Sequence, residues 1–393
     1  FFVSYISYYS THNNSFLLIT FSFIFVFSTS AKLIKKQDSS IVNVIFFLQI
    51  KNRSRRFTNF ASMKTIVSGM RPTGNLHLGS YFGALRNFIR LQEEADCFFF
   101  VADYHSLTTH PNPVNLHQSV KTVLAQYVAC GLNPDKATIY IQSQVPEVVE
   151  LYMFLNMNAY LGELERVTSF KDKVRQNPQN VNAGLLTYPT LMAADILLHK
   201  ADAVPVGKDQ EQHLEMTRTF ASRFNHMYKT EYFKEPVAYN FGNDLVKVPG
   251  LDGSGKMSKS ESESATIYLV DEPSVLKKKI MRAKTDAGPQ EQNSTKSVEI
   301  ENLFSLMRLV CKSETVEEFD RAYADCSIRY GDLKKQLAED MEAFVAPIRE
   351  RIKEVESDTA LLSRIAKQGC EKARESAQKT IREVREIIGF RSF

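Results

Sequence analysis

Cysteine is scarce in the 393-residue sequence, and no two cysteines form a Cys-x-x-Cys pair. The five lie far apart, at Cys97, Cys130, Cys311, Cys326 and Cys370. This spacing argues against a zinc or iron–sulfur site and against a disulfide framework. We therefore predict that the protein has no metal site of its own and works in a reducing compartment, the cytoplasm.

A strong excess of charge of either sign is also lacking. The formal net charge is +4, but residues 1–62 hold seven lysines and arginines and one aspartate, which leaves −2 for residues 63–393. A global basic field that would attract nucleic acid is thus excluded, and any such contact must use local basic patches. With 44% hydrophobic and 24% charged residues, the chain has the composition of a globular protein with room for about two domains.

Residues 1–62 contain no methionine, and the first one in the chain is Met63. Their apolar run at 16–27 is shorter than the roughly 20 residues that span a bilayer. The segment is basic, rich in serine and poor in acids, which is typical of a transit peptide to an organelle. We predict that it is not part of the folded protein. A transit peptide to an organellar matrix is the second interpretation, and a membrane anchor is the last.

The first motif is Pro-Thr-Gly-Asn-Leu-His-Leu-Gly-Ser at residues 72–80, between a β-branched run and a helical pattern. Leu85, Phe88 and Leu91 recur on one face of that helix, and Ser80 is its predicted N-cap. A strand, a glycine-containing turn and a helix N-terminus can bind an anion, because unpaired N–H groups point at it. An ordinary strand–loop–helix connection would show the same pattern.

The second motif is Lys-Met-Ser-Lys-Ser at residues 256–260, inside a loop rich in glycine and serine. Its two lysines suit a flexible arm that closes on a polyphosphate. Residues 250–256 also match the spacing of a Walker A loop up to its lysine. Met257 stands where that loop needs a hydroxyl for Mg²⁺, and no apolar-faced helix follows, so we reject this alternative.

Strands and helices alternate between the two motifs. Apolar runs at 97–102 and 137–141 predict buried strands, and a helix is expected from about Pro113 to Gly131. This alternation predicts an α/β fold with a doubly wound, Rossmann-like parallel sheet. From about Ser264 only helical periodicity remains, which predicts a C-terminal α-helical domain. The predicted divisions of the chain are 1–62, 63–263 and 264–393.

Two polar residues lie where ligands could bind. His105 follows the strand at 97–102, at the end where open α/β sheets place ligands, so a ligand contact and a structural role are equally favoured. Asp195 lies in the apolar segment 185–198, where an unpaired carboxylate would be costly. It needs a hydrogen-bond donor, either in the protein or on a ligand.

The two motifs resemble the signatures of class I aminoacyl-tRNA synthetases, a His-x-Gly-His-like turn and Lys-Met-Ser-Lys-Ser. The second matches letter for letter, whereas Ser80 replaces the last histidine of the first. Segments 162–166, 188–195 and 206–213 are similar to those of the bacterial-type tryptophanyl-tRNA synthetases within that family. The resemblance covers most of residues 63–390.

The resemblance implies an enzyme that activates L-tryptophan with ATP, releases pyrophosphate and transfers the amino acid to tRNA(Trp). It implies Mg²⁺ carried by ATP, a homodimer formed through helices inserted at about 146–190, and no membrane partner. The tryptophan-binding residues would be His105, Tyr188, Met192, Asp195 and Gln210. In that family the matching aspartate accepts a hydrogen bond from the indole N–H, and the residue matching Met192 packs on the ring.

By the same resemblance, the catalytic groups that stabilise the transferring phosphorus and pyrophosphate would be His77, Ser80, Lys173, Lys256 and Lys259. The ATP-binding residues would be Arg71, Pro72, Thr73, Gly79, Ser80, Gly207, Lys208, Asp209, Val248, Lys256, Met257, Ser258, Lys259 and Ser260. The helical domain would bind the anticodon, and its last helix would return to the catalytic domain. Predicted phosphate contacts in its most basic patch are Lys277, Lys278, Lys279, Arg282 and Lys284.

Two alternatives stay open. A tyrosine-specific synthetase of the same class would need groups that read a phenol hydroxyl, whereas an apolar slot with one carboxylate selects indole, which has one donor and no acceptor. An inactive, synthetase-like RNA-binding protein is the second alternative. The presence of both ATP signatures argues against it.

Overall fold

A sheet of parallel strands lies within the residues that this computed structural model describes, 63–207, 210–239, 246–253, 255–257 and 263–391. The strands are β1 (Thr65–Met70), β2 (Asp96–Val101), β3 (Thr138–Ile141), β4 (Ala203–Val204) and β5 (Val237–Ala238). Their order across the sheet is β3-β2-β1-β4-β5, and β1 and β2 pair along their whole length. The order reverses between β1 and β4, which confirms the predicted doubly wound, Rossmann-like α/β fold.

Successive side chains of the strands enter two apolar cores, one on each face of the sheet. In β2, Cys97, Phe99 and Val101 belong to one core, and Phe98 and Phe100 belong to the other. Helices cover both faces, which explains why this strand is apolar throughout.

The helices before residue 240 form part of these two covers, and later helices complete them. Those before residue 240 are α1 (Leu78–Ser80, Tyr81–Leu85 and Arg86–Leu91 in succession), α2 (Asp103–Ser106), α3 (Pro113–Ala129), α4 (Glu147–Asn156), α5 (Leu161–Glu165), α6 (Thr168–Gln176), α7 (Ala183–Leu198) and α8 (Glu211–Tyr228). Single 3₁₀ turns occur at Leu107–Thr109, Gln142–Gln144, Pro178–Asn180 and Glu263–Ala265. The apolar face predicted for α1 is buried at Leu85, Phe88 and Leu91, although the middle segment of the helix is π-helical.

Helix α3 shows how local sequence sets the ends of an element. The Asn112 side chain accepts hydrogen bonds from the N–H groups of Val114 and Asn115, and Pro113 occupies the first helical position. Gly131, just beyond the end, has a φ of 120°, a conformation that glycine adopts at little cost. The helix predicted from Pro113 to this glycine is therefore confirmed.

Only helices follow the last 3₁₀ turn, as predicted, in the described residues after 265. They are α9 (Pro273–Met281), α10 (Val298–Val310), α11 (Ser313–Ala324), α12 (Tyr330–Ser357) and α13 (Thr359–Ile388). Residues 63–393 form one compact unit, so a domain boundary near 264 stays a prediction. None of the helices in the described ranges combines the length and the apolar character that crossing a bilayer requires.

The last helix, α13, packs against the edge strand β3 at very short range. A Cβ atom added to Gly369 would lie only 1.8 Å from the Ile139 carbonyl oxygen, so the two backbones are in direct contact. The Lys372 ammonium donates to the Pro134 carbonyl beside this contact. Helix α13 therefore covers a strand edge that would otherwise be open to pairing.

Candidate active site

A cavity of about 710 Å³ opens at the carboxyl ends of β1 and β4. Residues 67–71 line it from β1 and residues 204–207 line it from β4. The strand order reverses between these two strands, and ligands of doubly wound sheets bind at this point. Within the described part of the chain, this cavity is the one that the sheet topology marks as a site.

The turn at 72–80 forms one wall of the cavity. His77 and Ser80 line it, and the helix α1 that follows has His77 as its N-cap, with Nδ1 accepting from the Ser80 N–H at 3.3 Å. The prediction of Ser80 as N-cap was therefore wrong, because a histidine ring nitrogen takes the role that a hydroxyl oxygen usually plays. A Cβ on Gly79 would lie 2.9 Å from the His77 ring, so this glycine leaves room for the ring.

The Lys-Met-Ser-Lys-Ser motif meets the same turn. Lys256 lines the cavity together with His77 and Ser80. Met257 is buried, and its carbonyl oxygen lies 3.3 Å from the position of a Cβ on Gly79. The structure therefore brings the two motifs, which are remote in the sequence, to one cavity.

A short segment after the second motif also binds this turn. The Leu78 N–H donates to the Ile267 carbonyl at 3.0 Å, the Leu269 N–H donates to the Leu76 carbonyl at 3.0 Å, and His77 forms an antiparallel bridge with Tyr268. The chain is thus held against the turn on both sides of residues 258–262, which lie outside the described residues. The N–H groups of Leu78 and Ser80 are paired inside the protein, so the prediction that free N–H groups there would bind an anion is wrong for these two.

Asp195 has two hydrogen-bond donors from the protein. It is 3% exposed; its Oδ2 atom is 2.8 Å from His105 Nε2, and its Oδ1 accepts from Gln142 Nε2 at 2.6 Å. Burial raises the pKa of this carboxyl, and the hydrogen bond from His105 opposes the rise. Each carboxylate oxygen keeps a second lone pair for a further donor.

His105 lines the cavity, whereas Asp195 is not among the described lining residues. Met192 and Ile196, which neighbour Asp195 on α7, line the cavity, so Asp195 lies close to the cavity wall. The sequence analysis missed Gln142. Its place directly after β3, at the carboxyl edge of the sheet, was a signal that could have found it.

Aromatic rings form the wall beside His105. The ring of Tyr188 meets the rings of His105 and His213 edge-on, with centroids 5.0 Å and 5.1 Å away. His213 Nδ1 lies 3.0 Å from Gln210 Oε1, and its Nε2 lies 2.9 Å from Ser169 Oγ. His213 was also missed by the sequence analysis. It holds the predicted ligand residue Gln210 in place and joins it to α6.

Positive charge is concentrated near the mouth of the cavity. Arg71 lines it and donates to Thr109 Oγ1 at 3.4 Å. Burial lowers the pKa of Arg71. Burial also lowers the pKa of Lys173 on α6, and the positive charge of Arg71 lowers it further. Because the charge of Arg71 disfavours protonation of Lys173, an anion between or beside these two cations would be favoured.

Not every predicted residue reaches the cavity. Those that line it are Arg71, Thr73, His77, His105, Ser80, Tyr188, Met192, Gly207, Gln210 and Lys256. Pro72 and Val248 are buried and do not line the cavity, and the Val248 carbonyl accepts from the Met257 N–H at 2.7 Å. Lys208, Asp209, Ser258, Lys259 and Ser260 lie outside the described residues.

The basic patch that was predicted to contact phosphates is only partly available. Its exposed members are Lys277, Lys278, Arg282 and Lys284. Lys279 is 10% exposed, and its ammonium bonds to both carboxylate oxygens of Asp271 and to the Thr266 carbonyl. The prediction for Lys279 was therefore wrong, because all three of its donors are already used.

Comparison with known proteins agrees with the fold. The family model described as tRNA synthetases class I (W and Y) matches residues 61–346. The tryptophan–tRNA ligase of Porphyromonas gingivalis is 62% identical over 329 residues, which is 84% of this chain and 100% of that protein. The one of Clostridium tetani is 42% identical and matches 83% of this chain and 96% of its own.

A solved structure is similar over the same part of the chain. It is the tryptophanyl-tRNA synthetase from Campylobacter jejuni complexed with ADP and tryptophan, with 35% identity, a TM-score of 0.74, and coverage of 83% of this chain and 99% of that one. The chain therefore belongs to the class I tRNA synthetases of the tryptophan and tyrosine family. The prediction of an aminoacyl-tRNA synthetase is confirmed.

Proposed function

We propose that the protein is a tryptophan–tRNA ligase. It activates L-tryptophan with ATP to tryptophanyl-adenylate, releases pyrophosphate, and transfers tryptophan to the 3′ end of tRNA(Trp). The observation that supports this is that one cavity is lined both by Lys256 and His77 and by His105, Tyr188 and Met192. The Porphyromonas relative, named for this reaction, is 62% identical.

The first step needs stabilisation of charge more than proton transfer. The carboxylate of tryptophan is ionised at neutral pH, and its oxygen forms a bond to the α-phosphorus of ATP while the bond to pyrophosphate breaks. Pyrophosphate leaves with the electron pair, and no protein base is required. Lys256 and Arg71 line the cavity, and we assign the stabilisation of this charge to them and to the positive end of the α1 dipole. Mg²⁺ enters with ATP as part of the substrate.

Several ATP contacts in this proposal come from sequence alone. Lys259 would supply a second cation for the pyrophosphate, and Lys173 a third. Gly207 lines the cavity where the ribose would bind. Asp209 is the proposed acceptor for a ribose hydroxyl.

The amino acid would bind in the slot between β2 and α7. Met192 and Tyr188 offer apolar and aromatic surface for the ring, and Asp195 offers the remaining lone pair for the indole N–H. Because indole has one donor and no acceptor, one carboxylate in an apolar slot satisfies it. A ring without an N–H donor would leave this lone pair unused, so we expect the site to bind such a ring less tightly.

Amino-acid-dependent exchange of pyrophosphate into ATP tests the proposal. Tryptophan should support exchange and tyrosine should not. Lys256→Ala should lower the exchange kcat at least tenfold and leave the Kd for tryptophan within twofold. Lys247→Ala removes an exposed lysine of the same region that does not line the cavity, and should change little. Exchange with tyrosine alone would favour the tyrosine-specific alternative, and no exchange with either would favour the RNA-binding one.

The proposal includes three partners of the chain. The first is tRNA(Trp), with the anticodon bound by the helical part and phosphates contacted by Lys277, Lys278 and Arg282. The second is a further copy of the chain, since residues 146–190 expose an unusual number of large apolar side chains. These are Val149, Met153, Met157, Tyr160, Leu161 and Val181. The third is ATP. The compartment that this chemistry and the unpaired cysteines favour is the cytoplasm.

A further inference from the structure

The ammonium of Lys279 forms an ion pair with Asp271 that is largely shielded from solvent. Lys279 and Asp271 are both 10% exposed, and their closest atoms, Nζ and Oδ2, are 2.7 Å apart. The ammonium also donates to the Thr266 carbonyl at 2.9 Å and lies 4.9 Å from the centre of the Tyr268 ring. With its three donors satisfied, Lys279 acts inside the protein and not on an external phosphate.

Asp271 closes the same turn from the other side. Its Oδ2 accepts from the Tyr268 N–H at 2.9 Å, and its backbone carbonyl accepts from Arg349 Nη1 at 2.7 Å. Arg349 is 4% exposed and belongs to α12, whereas Lys279 belongs to α9. Two cations from two helices thus fix the turn at 266–271.

This turn is the part of the chain that holds the phosphate side of the cavity. Tyr268 forms the bridge to His77, and the flanking Ile267 and Leu269 bond to the backbone on each side of His77. The turn also holds the chain just after residues 258–262, as Met257 does just before them. Displacing the turn would move His77 relative to Lys256, which lines the same cavity.

We propose that Lys279 and Asp271 are positioning residues for amino-acid activation. They hold the 266–271 turn so that His77 and Lys256 face the phosphates in one geometry. This inference rests on the proposed function, since it assigns the pair to the activation step. Misplacement of reacting groups by about 1 Å can cost about 100-fold in rate, whereas tryptophan binds on the other side of the cavity and should be little affected.

The test compares two lysines in nearly the same surroundings. Lys296 pairs with Asp320 at 2.7 Å and lies 4.9 Å from the centre of the Tyr323 ring, and neither partner belongs to the 266–271 turn or lines the cavity. Lys279→Met and Lys296→Met therefore remove the same kind of ion pair and ring contact. Each variant is measured for pyrophosphate exchange, for the KM of ATP, for the Kd of tryptophan by calorimetry, and for Tm.

We expect Lys279→Met to lower the exchange kcat per folded molecule at least tenfold, with the Kd for tryptophan within twofold. Lys279→Arg, which keeps a cation at this place, should recover most of the rate. Lys296→Met should lower Tm by a similar amount and leave kcat within twofold. Equal kcat values for the two methionine variants, or a loss explained by the unfolded fraction, would overturn the inference.

A milder variant covers the case in which Lys279→Met does not fold. Asp271→Asn keeps an oxygen for the Tyr268 N–H and removes the charge that pairs with Lys279. It should lower kcat at least threefold with tryptophan binding unchanged, and a folded Asp271→Asn with the full rate would reject the inference. Wild-type protein without tryptophan-dependent exchange would reject the proposed function itself, so the two failures are distinct.

Discussion

His199 is a buried histidine whose two ring nitrogens both have partners far away in the sequence. Its Nε2 lies 3.0 Å from the Tyr140 hydroxyl and its Nδ1 lies 3.2 Å from Ser376 Oγ, while its ring stacks on Phe98. Burial lowers the pKa of His199 to about 3. The imidazole is therefore neutral in the folded protein at every pH where the enzyme would work.

This neutral histidine makes stability depend on pH. The unfolded chain takes up a proton at His199 below pH about 6.5, and the folded protein does so only near pH 3. Between these values the unfolded state binds more protons, so stability falls as pH falls. At pH 5 the loss from this one group is about 2 kcal/mol, which is 1.5 pH units at about 1.4 kcal/mol per unit.

His199→Gln should remove this part of the acid sensitivity, because an amide can still bond to Tyr140 and Ser376 but does not titrate. We expect the free energy of unfolding in urea to drop by about 2 kcal/mol less between pH 7.5 and pH 5 than in the wild type. His117→Gln, at an exposed histidine, is the control and should leave the drop unchanged. An identical drop in wild type and His199→Gln would contradict the assignment.

At the level of single residues, the sequence predicted those whose chemistry is unusual for their surroundings. Asp195 stands out because a carboxylate in an apolar segment needs a donor, and the structure supplies His105 and Gln142. Gln142 and His213 do not stand out in this way, since a polar residue is ordinary on any surface helix or loop, and only the place of Gln142 after β3 pointed to it. Asp195 and Ser169, to which they bond, are remote in the sequence, and only folding shows that Gln142 and His213 are buried.

Helix α13 and strand β3 form a contact that depends on a residue without a side chain. Gly369 lies where a Cβ would be 1.8 Å from the Ile139 carbonyl oxygen, and a backbone atom of the sheet cannot move aside. Gly369→Ala should therefore push the helix off the strand and lower the free energy of unfolding by about 3 kcal/mol.

Gly331, near the start of α12, is the matched control. A Cβ there meets nothing within 4 Å, so Gly331→Ala should be neutral or stabilise by up to about 1 kcal/mol through its helix propensity. Urea unfolding of both variants gives the comparison. A Gly369→Ala protein as stable as Gly331→Ala would mean that helix and strand are not in contact in solution.

Elements with a clear period were predictable, and their internal details were not. The apolar run of β2 is enough to predict that strand. An N-cap residue, an apolar stripe and a glycine at the end predict α3. The π-helical part of α1 and its His77 cap are absent from the prediction, because apolar spacing reports which face is buried and not the hydrogen-bond pattern.

On the scale of the whole molecule, the cavity depends on chain topology. Its walls come from β1, the turn at 72–80, α7, the segment after β4 and Lys256. These segments lie in several separate parts of the sequence. Knowledge of the strand order places the first four at one edge of the sheet. No such rule predicts that Lys256 lines the cavity. This was expected only from the resemblance to a family.

The exposed apolar stripe on α4 and the residues after it bears on the assembly of the protein. Val149, Met153 and Met157 follow each other at intervals of four residues, and their side chains are 42%, 48% and 76% exposed. Tyr160 and Leu161 extend the stripe. A monomer rarely exposes so continuous an apolar surface, and burying it against a second copy would stabilise both.

We predict that the double variant Met153→Glu and Met157→Glu converts a homodimer into a monomer, because two carboxylates in an apolar interface would each have to lose their hydration. Sedimentation equilibrium should give wild-type protein twice the mass of the variant. Val298→Glu alters a side chain that is 64% exposed at the start of α10, and it should leave the mass unchanged. A monomeric wild type at micromolar concentration would reject the dimer. A double variant that stays dimeric would show that the copies meet through another surface.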